Sequence, residues 1–441
     1  MARGASLPGP LSPALPQDYE RERLSTFDGG LNFGTEPEKL PPNELSEAQN
    51  LFLFDGQLLV DTGYASFGPA VAGQPHVAFQ VYFPDGTSQL LLLTTSSLLT
   101  LGGGASPQWQ YTHFAGGATR TTAPTVTGSP VVHVSNPAAL VPLAPVNVQL
   151  DNGLIWNTTI LTIVGTTVTM GTNAPAPGVT ANGYVQMNIS VPTLTAPVQV
   201  GDTSIKVSSV LGVAAGQTVG VLMANGQQWQ FVVAGIGAGQ INAPVGAPSV
   251  GSVGAPVVIA PQLNGSLATQ PVLTVFPASG WVIISNGHDP IFYFFGDTLF
   301  TLPGLPDGTT ARCMTVFHEQ LIIANTTENG QDKPQQVRSS DQGDPTMWLS
   351  VAEGASHGLA AIAPLVDTED FILSLNLLGP WLIIYRETTI MRCTFLGLPG
   401  QTLFFEYMVF GEGIQSQGSV AEIGESHFIV GTQGVYLYDG G

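Results

Sequence analysis

Along this chain, short apolar runs keep returning, each closed by a small or polar residue. Four of them read Trp281-Val282-Ile283-Ile284-Ser285, Gln320-Leu321-Ile322-Ile323-Ala324-Asn325, Trp381-Leu382-Ile383-Ile384-Tyr385-Arg386 and His427-Phe428-Ile429-Val430-Gly431. Each is followed by a turn and a second strand-like segment. Runs of this length between turn residues predict strands. Their recurrence predicts an array of small sheets that cannot bury their faces alone. The expected fold class is all-β: a β-propeller with an inserted small β-barrel or β-sandwich domain. No convincing amphipathic helix is found, apart from a short one expected near residues 44–50.

The same pattern divides the chain into four segments. Residues 1–24 hold Pro8, Pro10, Pro13 and Pro16 and a charged stretch, and are expected to be a flexible arm. Residues 25–140 carry the first propeller blades. Their expected strands are a hairpin of 49–54 with 58–61, a second of 77–83 with 89–95, and a third strand at 97–101. Trp109-Gln110-Tyr111 is expected to open the next blade. Residues 141–262 are nearly devoid of charge and rich in Val, Thr, Ala and Gly, and are the expected insertion. Within it 198–253 reads as a compact unit with Asn225-Gly226 as a hairpin turn. Residues 263–441 carry the remaining blades. At ~40–45 residues each there is room for about six or seven blades, of which the sequence marks about five. The last repeat runs to the end of the sequence, so the array is expected to be cut short or closed by the N-terminal hairpin.

Composition supports a strand-rich fold: 53 Gly and 34 Pro punctuate a chain that is 44% hydrophobic and only 10% charged. The length of 441 residues calls for more than one core. Charge excludes one class of function. With 31 acidic against 11 basic residues the net charge is −20, and Lys206 is the only basic residue between Thr121 and Ala311. A nucleic-acid groove needs clustered Lys and Arg, and none is present. Cys313 and Cys393 are too few for a disulfide framework and read as buried free thiols. Residues 1–16 lack the apolar core of a signal peptide, and no apolar run is long enough to span a membrane as a helix. The expectation is a protein made in a reducing cytoplasm.

Candidate chemistry is sparse. The histidines at 76, 113, 133, 288, 318, 357 and 427 have no metal-ligand spacing. Asn286-Gly287-His288-Asp289-Pro290 sets a His beside an Asp, and Gly354-Ala355-Ser356-His357-Gly358 matches Gly-x-Ser-x-Gly. A nucleophile elbow needs a strand before and a helix after it, and Pro364 cuts the following segment short. Both read as turns. Asp367-Thr368-Glu369-Asp370 lacks the order of a calcium loop and reads as a solvated turn. Ser339-Ser340-Asp341-Gln342-Gly343-Asp344-Pro345-Thr346-Met347-Trp348 is similar to the Asp-box hairpins of sialidase-like propellers, with stretched spacing. There the Asp bonds back to turn amides while the Trp plugs the sheet edge. A sialidase would need an arginine cluster, and Arg312, Arg338, Arg386 and Arg392 sit in different strand contexts. No catalytic, cofactor-binding or metal-ligating residue is assigned, and the chain is expected not to be an enzyme.

Three stretches carry a family resemblance. The first is Phe27-Asp28-Gly29-Gly30-Leu31-Asn32, then Leu40-Pro41-Pro42-Asn43-Glu44, Asn50, Asp55-Gly56 and Gly63. The second runs from Phe317-His318-Glu319-Gln320 to Asp344-Pro345 and Trp348. The third is Gly413-Ile414, Ser419-Val420, Ile423-Gly424, Phe428, Gly434-Val435-Tyr436 and Tyr438-Asp439-Gly440. In this order they resemble the β-propeller tail nozzle, tail hub or tail tubular proteins of short-tailed bacteriophages. The resemblance covers most of 25–68 and much of 317–441. It implies a structural virion protein, assembled in the host cytoplasm, forming a homo-oligomeric ring, expected as a hexamer, below the portal and adaptor. Other tail proteins and tail fibres would be its neighbours, and DNA would pass through without specific binding. Two other readings stay open: a glycan-binding or sialidase-like propeller, and a head-decoration or tail-spike module.

Overall fold

The computed structural model describes residues 71–440 except 72, 84–85, 103–107, 153, 180–182, 267 and 356–357, and before residue 71 only four short strands. Of those four, Gly30–Leu31 pairs in parallel with Glu44–Leu45. Leu51–Phe54 and Gln57–Val60 form an antiparallel hairpin, as the Asp-Gly turn signal predicts. Residues 44–45 are a strand where the sequence predicts a short helix, because pairing with 30–31 gives their backbone partners that a helix would otherwise supply. The arm at 1–24 lies outside the described residues.

Residues 68–441 form a separate compact unit. Its regular structure is all strand, and no α-helix occurs among the described residues. No helix is long and apolar enough to cross a membrane. Five antiparallel meanders make up most of the unit. The first is Pro75–Tyr82, Ser88–Thr94, Leu98–Gly102 and Gln108–Tyr111. The second is Val272–Phe276, Trp281–Ser285, Phe292–Phe295 and Thr298–Thr301. The third is Thr310–Phe317, Gln320–Glu328, Gln331–Ser339 and Ala361–Pro364. The fourth is Ile372–Leu378, Trp381–Arg386, Thr389–Leu398 and Gln401–Phe410. The fifth has three strands, Val420–Ile423, Ser426–Val430 and Val435–Tyr438.

The recurring apolar runs all take the same place: each is the second strand of its meander. In the runs at 281, 320 and 381 the lack of polar alternation follows from burial on both faces, whereas the run at 427 is buried on one face only. Val282 and Ile284 pack with Leu91 and Leu93 of the first meander, while Ile283 between them packs with Leu321 and Ile323 of the third. Ile322 and Ala324 turn the other way, onto Leu382 and Ile384 of the fourth. Ile383 and Tyr385 then face Ile429 and Tyr438 of the fifth. Successive meanders therefore stack face to face in chain order. The fifth is covered on one face only among the described residues, where Phe428 is 40% and Leu437 67% exposed.

Trp109-Gln110-Tyr111 closes the first meander as its fourth strand, pairing with Leu98–Gly102, where the sequence suggests the start of a new sheet. After it, His113–Phe114 pairs in parallel with Thr298–Thr301 and extends the second meander's outer edge.

Between them the chain builds two inserted modules rather than one. Six strands in the order Ala118–Arg120, Tyr184–Met187, Pro145–Gln149, Ile155–Val164, Thr167–Met170, Val131–His133 form the first. Thr121 bridges Val134 beyond its two edge strands, curling the sheet into a half-barrel around Val146, Trp156, Ile160 and Met187. A bulge between Ile160 and Thr162 lets the longest strand bend around that core. The sheet begins well before residue 141, because Ala118–Arg120 and Val131–His133 pair with strands downstream. The second module stacks two three-stranded sheets around Val219, Val221, Trp229 and Ile241. Its hairpin of Thr218–Leu222 and Gln228–Val232 turns at Gly226, whose φ of +78° suits the Asn-Gly signal.

Two outcomes test this packing. Leu382→Ala, at the contact between the third and fourth meanders, should cost about 2–5 kcal/mol in a urea titration. Gly304→Ala should destabilise strongly for a different reason: φ is +85° and an added Cβ would lie 1.8 Å from the Thr346 carbonyl oxygen. A melting temperature unchanged in either variant contradicts the arrangement.

Candidate functional site

The first strand of every meander borders one cavity of about 350 Å3. Val77 and Phe79 come from the first meander, Val272 and Leu273 from the second, Cys313 and Met314 from the third. Ser374, Leu375 and Asn376 come from the fourth, and Val420 from the fifth. A second cavity of about 370 Å3 adjoins it, sharing Gln270, Gln417 and Gly418 and adding Arg312, Asn325, Gln415 and Ser416. Together they run along the line on which the meanders converge. Among the described residues, no acidic side chain lines either one. A tighter hollow of about 20 Å3 near 303–308 has room for one water.

The inserted modules are held to the meanders by uncharged groups, together with Arg120 and Asp307. His113 is fully buried; its Nε2 donates to the Ile189 carbonyl at 2.8 Å and its Nδ1 accepts from the Ile259 amide at 3.2 Å. That pair of bonds fixes the neutral tautomer with the proton on Nε2. Burial pushes its pKa below the ordinary value, against the opposing pull of the Ile189 carbonyl. Glutamine side chains act as substitute backbone beside it. The Gln228 carboxamide accepts from the Tyr111 amide at 2.7 Å and donates to the Tyr111 carbonyl at 3.3 Å. Gln108 accepts from the Gln228 amide at 2.7 Å. On the first module, Gln186 donates to the Thr301 carbonyl at 2.9 Å, and Arg120 donates through Nε to the Gly304 carbonyl at 3.1 Å.

The four arginines considered as a cluster are not brought together. Arg338 is buried between two acids: Nε lies 3.1 Å from Glu328 and NH2 lies 2.7 Å from Glu353. Lys333 and Gln336 complete the Glu328 carboxylate at 3.0 and 2.6 Å. Burial alone would raise the Glu353 pKa, but bonds from Arg338 and Ser350 outweigh it and the net shift is downward. Arg386 is fully buried, 2.9 Å from Asp370 and donating to the carbonyls of Leu365, Thr368 and Asp370. Asp370 also accepts from the hydroxyls of Thr368 and Thr389, and its pKa is held down despite the desolvation it suffers. This corrects the reading of 367–370 as a solvated turn: its last carboxylate neutralises a buried guanidinium. Arg392 lies 4.8 Å over the Trp381 ring and pairs with Glu406 at 3.0 Å. Arg312 alone faces a cavity.

The other candidates resolve into turns and packing. Asp289 accepts from the Asn264 amide at 2.6 Å and from Asn286 at 2.7 Å, latching the returning chain, while His288 bonds Thr269 at 3.1 Å. No nucleophile stands between them. Asp341 accepts from the amides of Gln342 and Leu359 at 2.9 and 2.7 Å. Asp344 accepts from the Thr346 amide at 2.8 Å, and the buried Trp348 donates to the Pro345 carbonyl at 2.7 Å. Ser356 and His357 lie outside the described residues; Gly354 caps a single 3-10 turn and a strand follows, so the helix of a nucleophile elbow is missing there. His427 bonds Tyr385 at 2.7 Å and the Leu377 carbonyl at 2.9 Å, joining the fourth and fifth meanders. His318 stacks on Phe395 at 4.6 Å. Burial pushes the thiols of Cys313 and Cys393 up to about 12, leaving them protonated. No group of three His, Cys, Asp or Glu is placed to hold a metal among the described residues.

Sequence reasoning missed the convergence of Gln270, Arg312, Gln415 and Gln417, which come from three separate places in the chain. The signal was the register of the first strands, invisible until sheets are paired. No protein-family model matches this chain, and no curated protein matches it.

Two predictions follow from the buried charges. The unfolded His113 takes up a proton near pH 6.5 and the folded one only at lower pH. The unfolded state then binds more protons, so stability is full above that range and falls as pH drops below about 6.5. Calorimetric melting at pH 7.5 and 5.5 should show this slope, flattened in His113→Gln; an equal slope in both proteins would contradict it. Arg386→Leu should cost about 3–5 kcal/mol by stranding the Asp370 carboxylate. Adding Asp370→Asn should recover part of that loss in the same urea titration.

Proposed function

We propose that the five stacked meanders are blades of a β-propeller and that the chain is a structural virion protein of a short-tailed bacteriophage. In this reading it assembles in the host cytoplasm into a ring of about six copies in the tail, below the portal and adaptor. The ring lines the path by which DNA leaves and contacts other tail proteins, tail fibres among them. Face-to-face stacking in chain order and first strands bordering a common cavity support the propeller. The order of the three sequence stretches supports the family.

The observation that carries the function is how charge is distributed. Among the described basic residues, Lys333, Arg338, Arg386 and Arg392 are each paired with a carboxylate. Arg120 is bonded to a backbone carbonyl. Five of the seven described Lys and Arg side chains are thus bonded within the protein, Lys206 and Arg312 being exposed, while the whole chain carries a net charge of −20. A surface of that sign lets a polyanion slide without arrest.

Sedimentation of the purified chain over a range of concentrations should reveal a ring-sized species, and duplex DNA should not be retarded by it even at low salt. A strictly monomeric protein at high concentration, or salt-sensitive DNA binding, would overturn the proposal. A trimer would point to the tail-spike alternative.

A further inference from the structure

The paired cavities on the convergence line have the make-up of a binding site. Arg312 is exposed on the first strand of the third meander, and its guanidinium has no hydrogen-bond or ion-pair partner among the described residues. It is the one charged side chain lining either cavity. Around it stand Gln270 and Gln415, also exposed and with side chains that bond to no described residue. Gln417, Asn325 and Ser374 are already anchored: Gln417 donates to the Arg312 carbonyl at 2.7 Å, Asn325 to the Ile372 carbonyl at 2.8 Å, and Ser374 to Asn376 at 2.7 Å. The site therefore has a fixed polar frame and three free recognition groups. Ile372 and Leu373 line the same cavity as Arg312, and the adjoining cavity adds Phe79, Leu273 and Met314 as apolar surface.

The chemistry of those groups selects a ligand. A lone, unpaired guanidinium forms a two-pronged bond with a carboxylate. Carboxamides donate and accept at once, which suits the hydroxyls of a sugar ring. An apolar wall suits the C–H face of the same ring. A bare phosphate would use only Arg312 and leave the carboxamides and the apolar wall without partners. The volumes of about 350 and 370 Å3 fall in the range of small-molecule sites, about 300–1,000 Å3.

We propose that this cavity binds a carboxylated sugar, with Arg312 on the carboxylate and Gln270 and Gln415 on ring hydroxyls. The site is proposed to bind and not to cleave: among the described residues no Asp, Glu or Tyr lines it to supply an acid or a nucleophile. It is independent of the ring assembly, since every group belongs to one copy of the chain.

Isothermal titration calorimetry on the full chain with glucuronate, glucose and inorganic phosphate tests it. Glucuronate should bind in the millimolar range or tighter, with glucose and phosphate at least about tenfold weaker, as expected for loss of a charge-assisted pair or of the hydroxyl contacts. Arg312→Gln should weaken glucuronate binding by about tenfold or more while leaving the melting temperature unchanged, because the side chain is exposed and unpaired. Gln270→Ala should weaken glucuronate and leave phosphate unaffected. No heat with glucuronate at millimolar concentrations, equal binding by Arg312→Gln, or phosphate binding as tightly as glucuronate would each overturn the proposal.

Discussion

A β-meander has two faces and can bury neither by itself, so each sheet depends on a neighbour for every face it buries, and the three middle sheets have one on both sides. That constraint orders this protein from residue 75 to residue 438. In the first four meanders the second strand sits deepest, and its alternate side chains enter two different cores. Ile283 and Ile284 are adjacent in sequence yet belong to separate packing layers. Burying an aliphatic side chain of this size is worth about 1.5–3 kcal/mol, so each run of three or four such residues bonds a sheet to both neighbours. Everything polar in the unit is arranged around that requirement.

The constraint explains why charged groups are buried where they are. Arg338 and Arg386 occupy strand ends at the margins of the layers, where loop carboxylates can reach them. A buried ion pair gains little over an apolar pair of equal volume, but removing one partner is costly. These pairs therefore fix which loop lies over which strand. His113 does the same without charge, joining the edge of the second meander to both inserted modules. The modules are thereby fastened at several points, since the glutamines of Gln108–Tyr111 and Gln228–Val232 pair across the junction as backbone would.

Much of this was legible in the sequence and some was not. The runs at 281, 321 and 382 announced strands buried on both sides, and Asn225-Gly226 announced its hairpin, because these signals are local. The grouping of strands into sheets is not local. Trp109–Tyr111 reads as a beginning and is an end, since only pairing with Leu98–Gly102 distinguishes the two. Ala118–Arg120 belongs with strands some 65 residues later, so loss of charge near 141 marked a change of composition rather than of module. Asp370 looked solvated because its partner, Arg386, lies across a strand. The cavity groups were hidden for the same reason: Arg312 reads as an isolated strand residue until five first strands are set side by side.

The proposed role joins two properties, a stack of sheets packed face to face and a strongly acidic balance of charge. The most direct measurement is a reconstruction of the particle that carries this chain, with its density located relative to the DNA channel. The account predicts a ring of about six copies in the tail below the portal, with acidic side chains facing the channel. Density on the capsid exterior, in a threefold spike, or absent from the particle would contradict it.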